Sequence, residues 1–403
     1  MRLVVAHNKY TQAGGEDEVF RNETLLLRGA GFEVHEYVED NARISEMSLV
    51  AVGLNTIWSE SSRLKLRSEL QRVRPDLVHF HNTFPLISPA AYAACADERV
   101  PIVQTLHNYR LLCPAATLFR DGSVCQDCLH QKTKWPAIWH RCYRDSLFGT
   151  STLVAMLAIH SWLKTYQKQV ARFIALTEFS RTKFIEGGLP SARISVKPNF
   201  VIADPGPPGG QRKFALYVGR LVPEKGLRLL LEAWKKLPDN IPLRIIGEGP
   251  MREQLEAEIS ALDHESIQLV GGLPKSEVIA AMHQARFLVF PSGWFEGFPM
   301  TLVEAFACGL AIIASRLGSM AEIVTDGVTG LQFTPGDAND LADKVIWAWS
   351  HPAEMQEMGN AGRREYETKY TPERNLEMLL NIYREAMNTS IMPAAHEAAI
   401  SEV

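Results

Sequence analysis

The stretch Phe287-Leu-Val-Phe290-Pro291-Ser-Gly-Trp-Phe-Glu296-Gly297-Phe298-Pro299-Met300-Thr-Leu-Val-Glu304-Ala-Phe-Ala-Cys-Gly309 decides the fold. Its first four residues are a short apolar run of the kind a sheet buries on both faces. A turn rich in Gly and Pro follows. Met300 to Cys308 then reads as a helix stopped by Gly309. The loop therefore lies beyond the carboxyl end of a strand and at the amino end of a helix. Open α/β sheets bind ligands at such places, and free helix N–H groups there attract anions such as diphosphate. Glu296 sits in the loop and Glu304 in the helix, with seven residues between them. Two solvated glutamates would be the bland alternative. Trp294, Phe295, Phe298 and Pro299 oppose it, because such residues are costly on a loop that touches nothing.

The second half of the chain repeats this pattern. Strands are expected at Phe214–Val218, Leu243–Ile246, Ile267–Val270, Phe287–Phe290 and Ala311–Ala314. Helices are expected at Leu227–Leu237, Met251–Leu262, Lys275–Gln284 and Met300–Cys308. Leu227, Leu230, Leu231, Trp234 and Leu237 share one helical face. Such alternation gives a doubly wound parallel sheet. Its first loop, Val218-Gly219-Arg220-Leu-Val-Pro-Glu224-Lys225-Gly226, places a bare glycine and two cations before a helix, a combination that suits a diphosphate. The next, Gly247-Glu248-Gly249-Pro250, lacks the third glycine of a dinucleotide fingerprint. Asp337–Ser350 and the segment from about Glu354 to Ala386 read as helical. The tail from Asn388 is expected to fray.

In the first half, strands are expected at Leu3–Ala6, Glu33–Tyr37, Leu77–Phe80, Ile102–Thr105, Phe173–Leu176 and Arg193–Val196, with a helix from Glu16 to Gly29. Gly14-Gly15 lets backbone N–H groups approach a ligand, or simply makes a tight turn. His79 and His81 alternate along one strand, point the same way, and are candidates to line a cleft. His107 closes the next strand and is the stronger candidate. The insertion from Leu111 to about Gly149 breaks the rhythm and carries Cys113, Cys125, Cys128 and Cys142, which suit a closed structural zinc site; His130 or His140 could replace one thiol. Four reduced thiols in an ordinary loop are the alternative. Asp204-Pro-Gly-Pro-Pro-Gly-Gly210 reads as the linker between two domains.

A chain of 403 residues exceeds one ordinary core. Its 46% hydrophobic and 22% charged content is ordinary for a globular protein, and a net charge of −4 implies no general pull toward nucleic acid. The first residues lack a signal-peptide core, and the apolar run Thr152–Leu163 is too short to span a bilayer, so a cytoplasmic protein is expected. From Gln131 to Lys183 nine Lys or Arg face only Asp145 and Glu178, with Trp135, Trp139 and Trp162 interleaved. That mixture suits an anionic membrane surface, and a solvated basic face over core tryptophans explains it as well.

The strand–loop–helix with Glu296, seven residues and Glu304, and with Gly297-Phe298-Pro299 after the first acid, resembles the signature of retaining family 4 glycosyltransferases. The resemblance implies an α/β GT-B fold: two doubly wound Rossmann-like domains facing a central cleft. The expected divisions are an acceptor-side domain at 1–203, a nucleotide-sugar domain at 204–375, and a helix at 376–403 that crosses back. It implies transfer of a sugar, with retention, from a UDP or GDP sugar to a glycan or lipid-linked acceptor in cell-surface polysaccharide synthesis. No cofactor is required for that chemistry, and no nucleic acid takes part. His107 and Glu296 would be catalytic. Gly14, Gly15, Arg220 and Lys225 would hold the diphosphate. Glu296, Gly297, Phe298, Pro299 and Met300 would hold the sugar, and Gly247, Glu248 and Glu304 the nucleoside. Gly318-Ser319 departs mildly from the family's paired glycines. An epimerase or phosphorylase of the same fold, or a non-catalytic protein bound to a membrane surface, are the rival readings. Nucleotide release that depends on an added acceptor separates transferase from epimerase.

Overall fold

The computed structural model describes residues 1–11, 14–207, 212–262 and 266–391. The chain divides into two compact units. The first comprises Met1–Ala116, Gln126–Pro198 and the chain from Asn375 onward; the second comprises Thr117–Cys125 and Asn199–Arg374.

The first unit contains strands β1 (Arg2–Lys9), β2 (Glu33–Asp40), β3 (Leu77–Asn82) and β4 (Ile102–Leu106). A short antiparallel hairpin follows in the second unit, formed by β5 (Phe119–Arg120) and β6 (Ser123–Val124). The first unit then resumes with β7 (Arg172–Ala175) and β8 (Ile194–Val196). Its sheet runs β2-β1-β3-β4-β7-β8 and is parallel throughout. All of β3 is buried. Its side chains divide by strand alternation, so Phe80 meets Tyr92 edge-on at 5.0 Å while His79 and His81 take the other face.

That second face is covered by the helices Gly15–Gly29 and Pro372–Ile391. Phe20 and Leu27 from one, and Leu379, Ile382, Tyr383 and Ala386 from the other, share a core with Leu3, Val5, Leu77 and Val103. The segment from Glu354 to Ala386 that reads as helical is made of two helices, Pro352–Lys369 and Pro372–Ile391. Each begins with proline, which cannot donate inside a helix but fits its first turn. The second runs past Asn388 to Ile391, and the rest of the expected frayed tail lies outside the described residues.

The second unit contains β9 (Phe214–Val218), β10 (Leu243–Ile246), β11 (Ile267–Gly271), β12 (Ala285–Phe290), β13 (Ile312–Ser315) and β14 (Gly330–Phe333). The order is β11-β10-β9-β12-β13-β14, again parallel. Trp234, Leu230 and Leu227 pack on one face, Leu302, Phe306 and Tyr366 on the other. The chain leaves β9 toward β10 and later returns to the opposite side of β9 as β12. The loops after β9 and β12 therefore flank the point where strand order reverses, the usual ligand crevice of such sheets. β14 and the short helix Gly318–Ile323 were not anticipated; a polar Gln332 interrupts the strand's apolar run. In the expected linker, Asp204 accepts from Arg363 at 2.5 and 2.6 Å, and residues 208–210 lie outside the described set. No helix among the described residues is long and apolar enough to cross a membrane.

Candidate functional site

The loops after β9 and β12 are locked together. Lys225 Nζ lies 2.7 Å from Glu296 Oε1, and Ser292 Oγ donates to the same oxygen at 2.7 Å. Ser319 Oγ donates to the Glu296 carbonyl at 2.6 Å, and the Gly293 N–H donates to the Glu224 carbonyl at 2.9 Å. The Lys225 ammonium also lies 5.3 Å from the Phe290 ring centroid and 5.8 Å from that of Trp294, close enough for a cation–π attraction. Glu296 is only 5% exposed, so the ion pair compensates a charge that burial alone would penalise. The lock needs Gly226. Its φ is +75°, and a Cβ there would stand 2.0 Å from the Pro291 carbonyl oxygen.

Arg220 is exposed at the mouth of the same loop, its carbonyl accepting from the Tyr217 hydroxyl at 3.1 Å. Gly297, Phe298 and Met300 are half-buried; Pro299 is buried and precedes the helix Met300–Ala307. The buried Trp294 indole N–H has no hydrogen-bond partner among the described residues. Glu304 is 5% exposed and pairs with Lys275, the first residue of the helix after β11. Glu248 turns to its own loop, accepting from Gly272 N–H at 2.8 Å and from Arg252 at 2.6 Å. Gly247 is fixed by packing, since a Cβ would lie 1.9 Å from the Gly219 carbonyl oxygen. The second unit thus gathers Arg220, Lys225, Gly247, Glu248 and Glu296 on the loops at the carboxyl ends of its strands, with Glu304 on the helix that follows β12. Sequence reasoning had not assigned Lys275, Ser292 or Ser319 a role. Ser292 lies within the deciding stretch, and Lys275 opens a helix that the periodicity had located.

In the first unit His107 is buried at the end of β4, and its Nε2 lies 3.0 Å from His81 Nδ1. His81 Nε2 stands 3.3 Å from Glu23 Oε1, close but off the line of a good hydrogen bond. The other Glu23 oxygen accepts from Lys197 Nζ at 2.8 Å, both side chains being 1% exposed. His79 is engaged at both nitrogens, 2.8 Å from the Tyr383 hydroxyl and 2.8 Å from Thr105 Oγ1. His79 and His81 were expected to line a cleft; they are instead buried beneath the helices that cover the sheet. Burial, then the neighbouring His79, pushes His81 down to about 4. Burial and His81 hold His107 well below the ordinary histidine value. Burial pushes the Glu23 carboxyl upward, but Lys197 and the two histidines win and hold it well below the carboxylate range. With His81 neutral and Nε2 turned to an ionised Glu23, its Nδ1 is the acceptor and His107 Nε2 the donor. The remaining nitrogen of His107, Nδ1, is then an acceptor.

Glu23, His79 and His81 are the one set of three or more converging metal-type donors among the described residues. A cation does not fit there: the Lys197 ammonium occupies Glu23, and Tyr383 and Thr105 occupy His79. The cysteines of the first unit make no second set. Cys128 packs with Ala137, Val154 and Cys142, its thiol pushed up to about 11 by burial and by Cys113. The buried Lys134 ammonium donates to the Cys128 carbonyl at 2.7 Å. Cys125 belongs to the second unit. His130 and His140 are likewise absent from any converging set.

Gly14 and Gly15 are exposed at the start of the helix Gly15–Gly29, whose first turn holds Glu16, Asp17 and Glu18. The Gly14 N–H already donates to Asp17 Oδ2 at 2.9 Å. Asp17 also meets His7 at 2.9 Å, and Glu16 accepts from Asn108 at 2.7 Å. Three carboxylates at this helix end oppose an incoming anion, which the glycine pair alone does not reveal.

Two family models tile most of the chain: Glycosyltransferase Family 4 over residues 24–204 and Glycosyl transferases group 1 over residues 202–365. An uncharacterized glycosyltransferase of Methanocaldococcus jannaschii is 33% identical over 44% of this chain and 49% of its own length. Glycogen synthase of Mycobacterium tuberculosis is 28% identical over 86% of this chain and 77% of its own. A D-rhamnosyltransferase of Pseudomonas aeruginosa is 29% identical over 40% of this chain, which spans 42% of that relative. The chain thus spans about half or less of the length of two of these relatives. Among solved structures, Anabaena HepE in complex with UDP-glucose superposes with a TM-score of 0.69 at 16% identity over 95% of this chain and 99% of that one. Sucrose-phosphate synthase from Thermosynechococcus elongatus gives 0.72 at 16% identity over 96% of this chain and 100% of that one. With its two parallel-sheet units and its paired glutamates, this chain belongs to the family 4-like glycosyltransferases of GT-B fold.

Proposed function

We propose that this protein transfers a sugar, with retained anomeric configuration, from a nucleoside diphosphate sugar to a glycan or lipid-linked acceptor in cell-surface polysaccharide synthesis. The observation that carries the reading is the Lys225–Glu296 pair at the β9/β12 switch point, with Glu304 on the following helix paired to Lys275. Breaking the sugar–phosphate bond leaves negative charge on the diphosphate, and cations and dipoles aimed at that charge lower the barrier. Arg220 and Lys225 would supply the cations. Lys225 has three N–H donors, so it can reach a phosphate oxygen while keeping Glu296. The N–H groups that open the helix Met300–Ala307 add a dipole of the right sign. Gly14 and Gly15 would contribute least, given the carboxylates around them.

Glu296 would accept from donor sugar hydroxyls, with Gly297, Phe298, Pro299 and Met300 shaping the sugar site. Glu304 would bind the ribose, with Gly247 and Glu248 beside the nucleoside. His107 would offer its Nδ1 lone pair to a sugar hydroxyl. Glu296 Oε1 is already tied to an ammonium and a hydroxyl, which lowers its nucleophilicity and favours positioning over attack, with the acceptor entering on the face the diphosphate leaves. UDP-glucose in HepE supports a nucleotide-sugar donor. A lipid-linked acceptor would bring the protein to a membrane surface.

The test screens UDP and GDP sugars for a rise in melting temperature. A ligand at a hundred times its Kd stabilises the fold by about 2.7 kcal/mol. The stabilising donor is then supplied with acceptor fractions, and Glu296→Gln is compared. We expect nucleotide release that requires acceptor, falling about 10²-fold or more in the variant. Unchanged transfer by Glu296→Gln would remove Glu296 from the site, and no stabilisation by any nucleotide sugar would remove the function.

A further inference from the structure

Three helices of the first unit that pack on one another leave apolar side chains facing solvent. The helix Leu147–Trp162 contains no Asp, Glu, Lys or Arg. It would be about 24 Å long, at 1.5 Å per residue. Leu153, Val154, Met156, Leu157 and His160 are buried. Phe148, Thr152, Ala155, Ile159 and Trp162 recur at helical spacing on its outer stripe, with Trp162 82% and Phe148 49% exposed. The helix Leu49–Ile57 is also uncharged and packs beside this stripe: a Cβ on Gly53 would stand 3.2 Å from the Phe148 ring. It turns Leu49, Val50 and Leu54 outward at 75%, 62% and 64% exposure. The short helix Pro136–Trp139 packs on the same long helix through Ala137 and Val154 and exposes Trp139 at 80%.

Such a surface costs free energy in water, roughly 25 cal/mol for each Å² left uncovered. The charge around it indicates what covers it. Over residues 131–168 the exposed charges are Lys132, Arg141, Arg144, Lys164 and Lys168 against Asp145 alone. A net cationic stretch carrying exposed tryptophan and phenylalanine complements an anionic lipid surface: rings and aliphatic chains enter the headgroup layer while ammonium and guanidinium groups meet lipid phosphates. The helix cannot cross the bilayer, so it would lie in the interface plane.

We infer that the face formed by Leu49–Ile57, Pro136–Trp139 and Leu147–Trp162 docks on an anionic membrane, inserting Trp139 and Trp162. This deepens the membrane contact of the proposed function and rests on that reading for its purpose. Its test reads lipid binding and needs no substrate, so the two can fail separately.

The experiment is co-sedimentation of the full chain with phosphatidylglycerol-containing vesicles and with pure phosphatidylcholine vesicles, at low and high salt. We expect binding to the anionic vesicles, weakened by salt, with a blue shift of tryptophan emission. The double variant Trp139→Ser/Trp162→Ser should bind about tenfold more weakly or less, with an unchanged melting temperature because both side chains are exposed. Lys164→Glu/Lys168→Glu should lose the preference for anionic lipid while keeping the fold. Three results would overturn the inference: no binding to either vesicle, equal binding by the tryptophan variant, or a stable dimer in light scattering that Trp162→Ser dissociates while vesicles bind nothing. The last would show that a second copy covers the face.

Discussion

Replacing Glu23 with glutamine keeps the shape of a buried side chain and deletes its charge. In the native fold Glu23 and Lys197 are each 1% exposed and meet at 2.8 Å. The variant leaves the Lys197 ammonium beside a neutral amide, with Asn375 Oδ1 at 3.3 Å as its remaining close acceptor. Removing one member of a buried ion pair costs about 3–5 kcal/mol, mostly because the other charge stays buried without compensation. Two units need not unfold together, so one melting temperature would mix them. Hydrogen exchange of the β1, β3 and β4 amides reads the first unit directly. Their protection should fall about 10²–10⁴-fold, while that of β9 and β12 stays unchanged. The double variant Glu23→Leu/Lys197→Met, which removes both charges, should recover most of the loss, because apolar replacement of a whole buried pair is near neutral. A loss under about fivefold in Glu23→Gln, or a double variant no better than the single one, would refute the claim that charge compensation holds this layer together.

The same layer should make the first unit acid-sensitive. His81 is pushed from the ordinary 6.5 down to about 4, so below pH 6.5 the unfolded chain binds a proton that the folded one refuses. This contribution is fully present above about pH 6.5 and is lost as pH falls through 4. It amounts to about 3 kcal/mol. His7 and His107, both lowered by burial, act in the same direction, and the depressed Glu23 adds a further loss at lower pH. Exchange measured from pH 7.5 to 4.5 should show the decline, and His81→Gln should flatten it. Gly226→Ala should destabilise the second unit by more than the 1–2 kcal/mol that a left-handed alanine costs alone, because its Cβ meets the Pro291 carbonyl; equal urea midpoints for variant and wild type would contradict this.

The sequence by itself determined the strand–helix alternation of both units, the strands that carry the site loops, the positions of Arg220, Lys225 and Glu296 on those loops, and that of Glu304 in the helix that follows. These are local facts. Hydrophobic period marks each element, and a glycine or proline marks where it stops, so a site made of loops at strand ends is legible once the strands are. The break at Tyr370 and Thr371 within the segment read as helical was not located, because periodicity runs on through a gap that only Pro372 announces. Tertiary structure decided which side chains meet across long separations. Nothing near Glu23 in the chain points to Lys197, 174 residues away, or links His79 to Tyr383, 304 residues away. The charge of a buried group depends on partners that parallel strands and a returning terminal helix bring together, and desolvation is a property of that assembly. For the same reason His79 and His81, which alternation placed on one face, proved to belong to the covered layer. Glu296 needed the fold as well: its position was legible, but its pairing with Lys225 depends on β9 and β12 being neighbours in the sheet while 71 residues separate the two side chains in the chain.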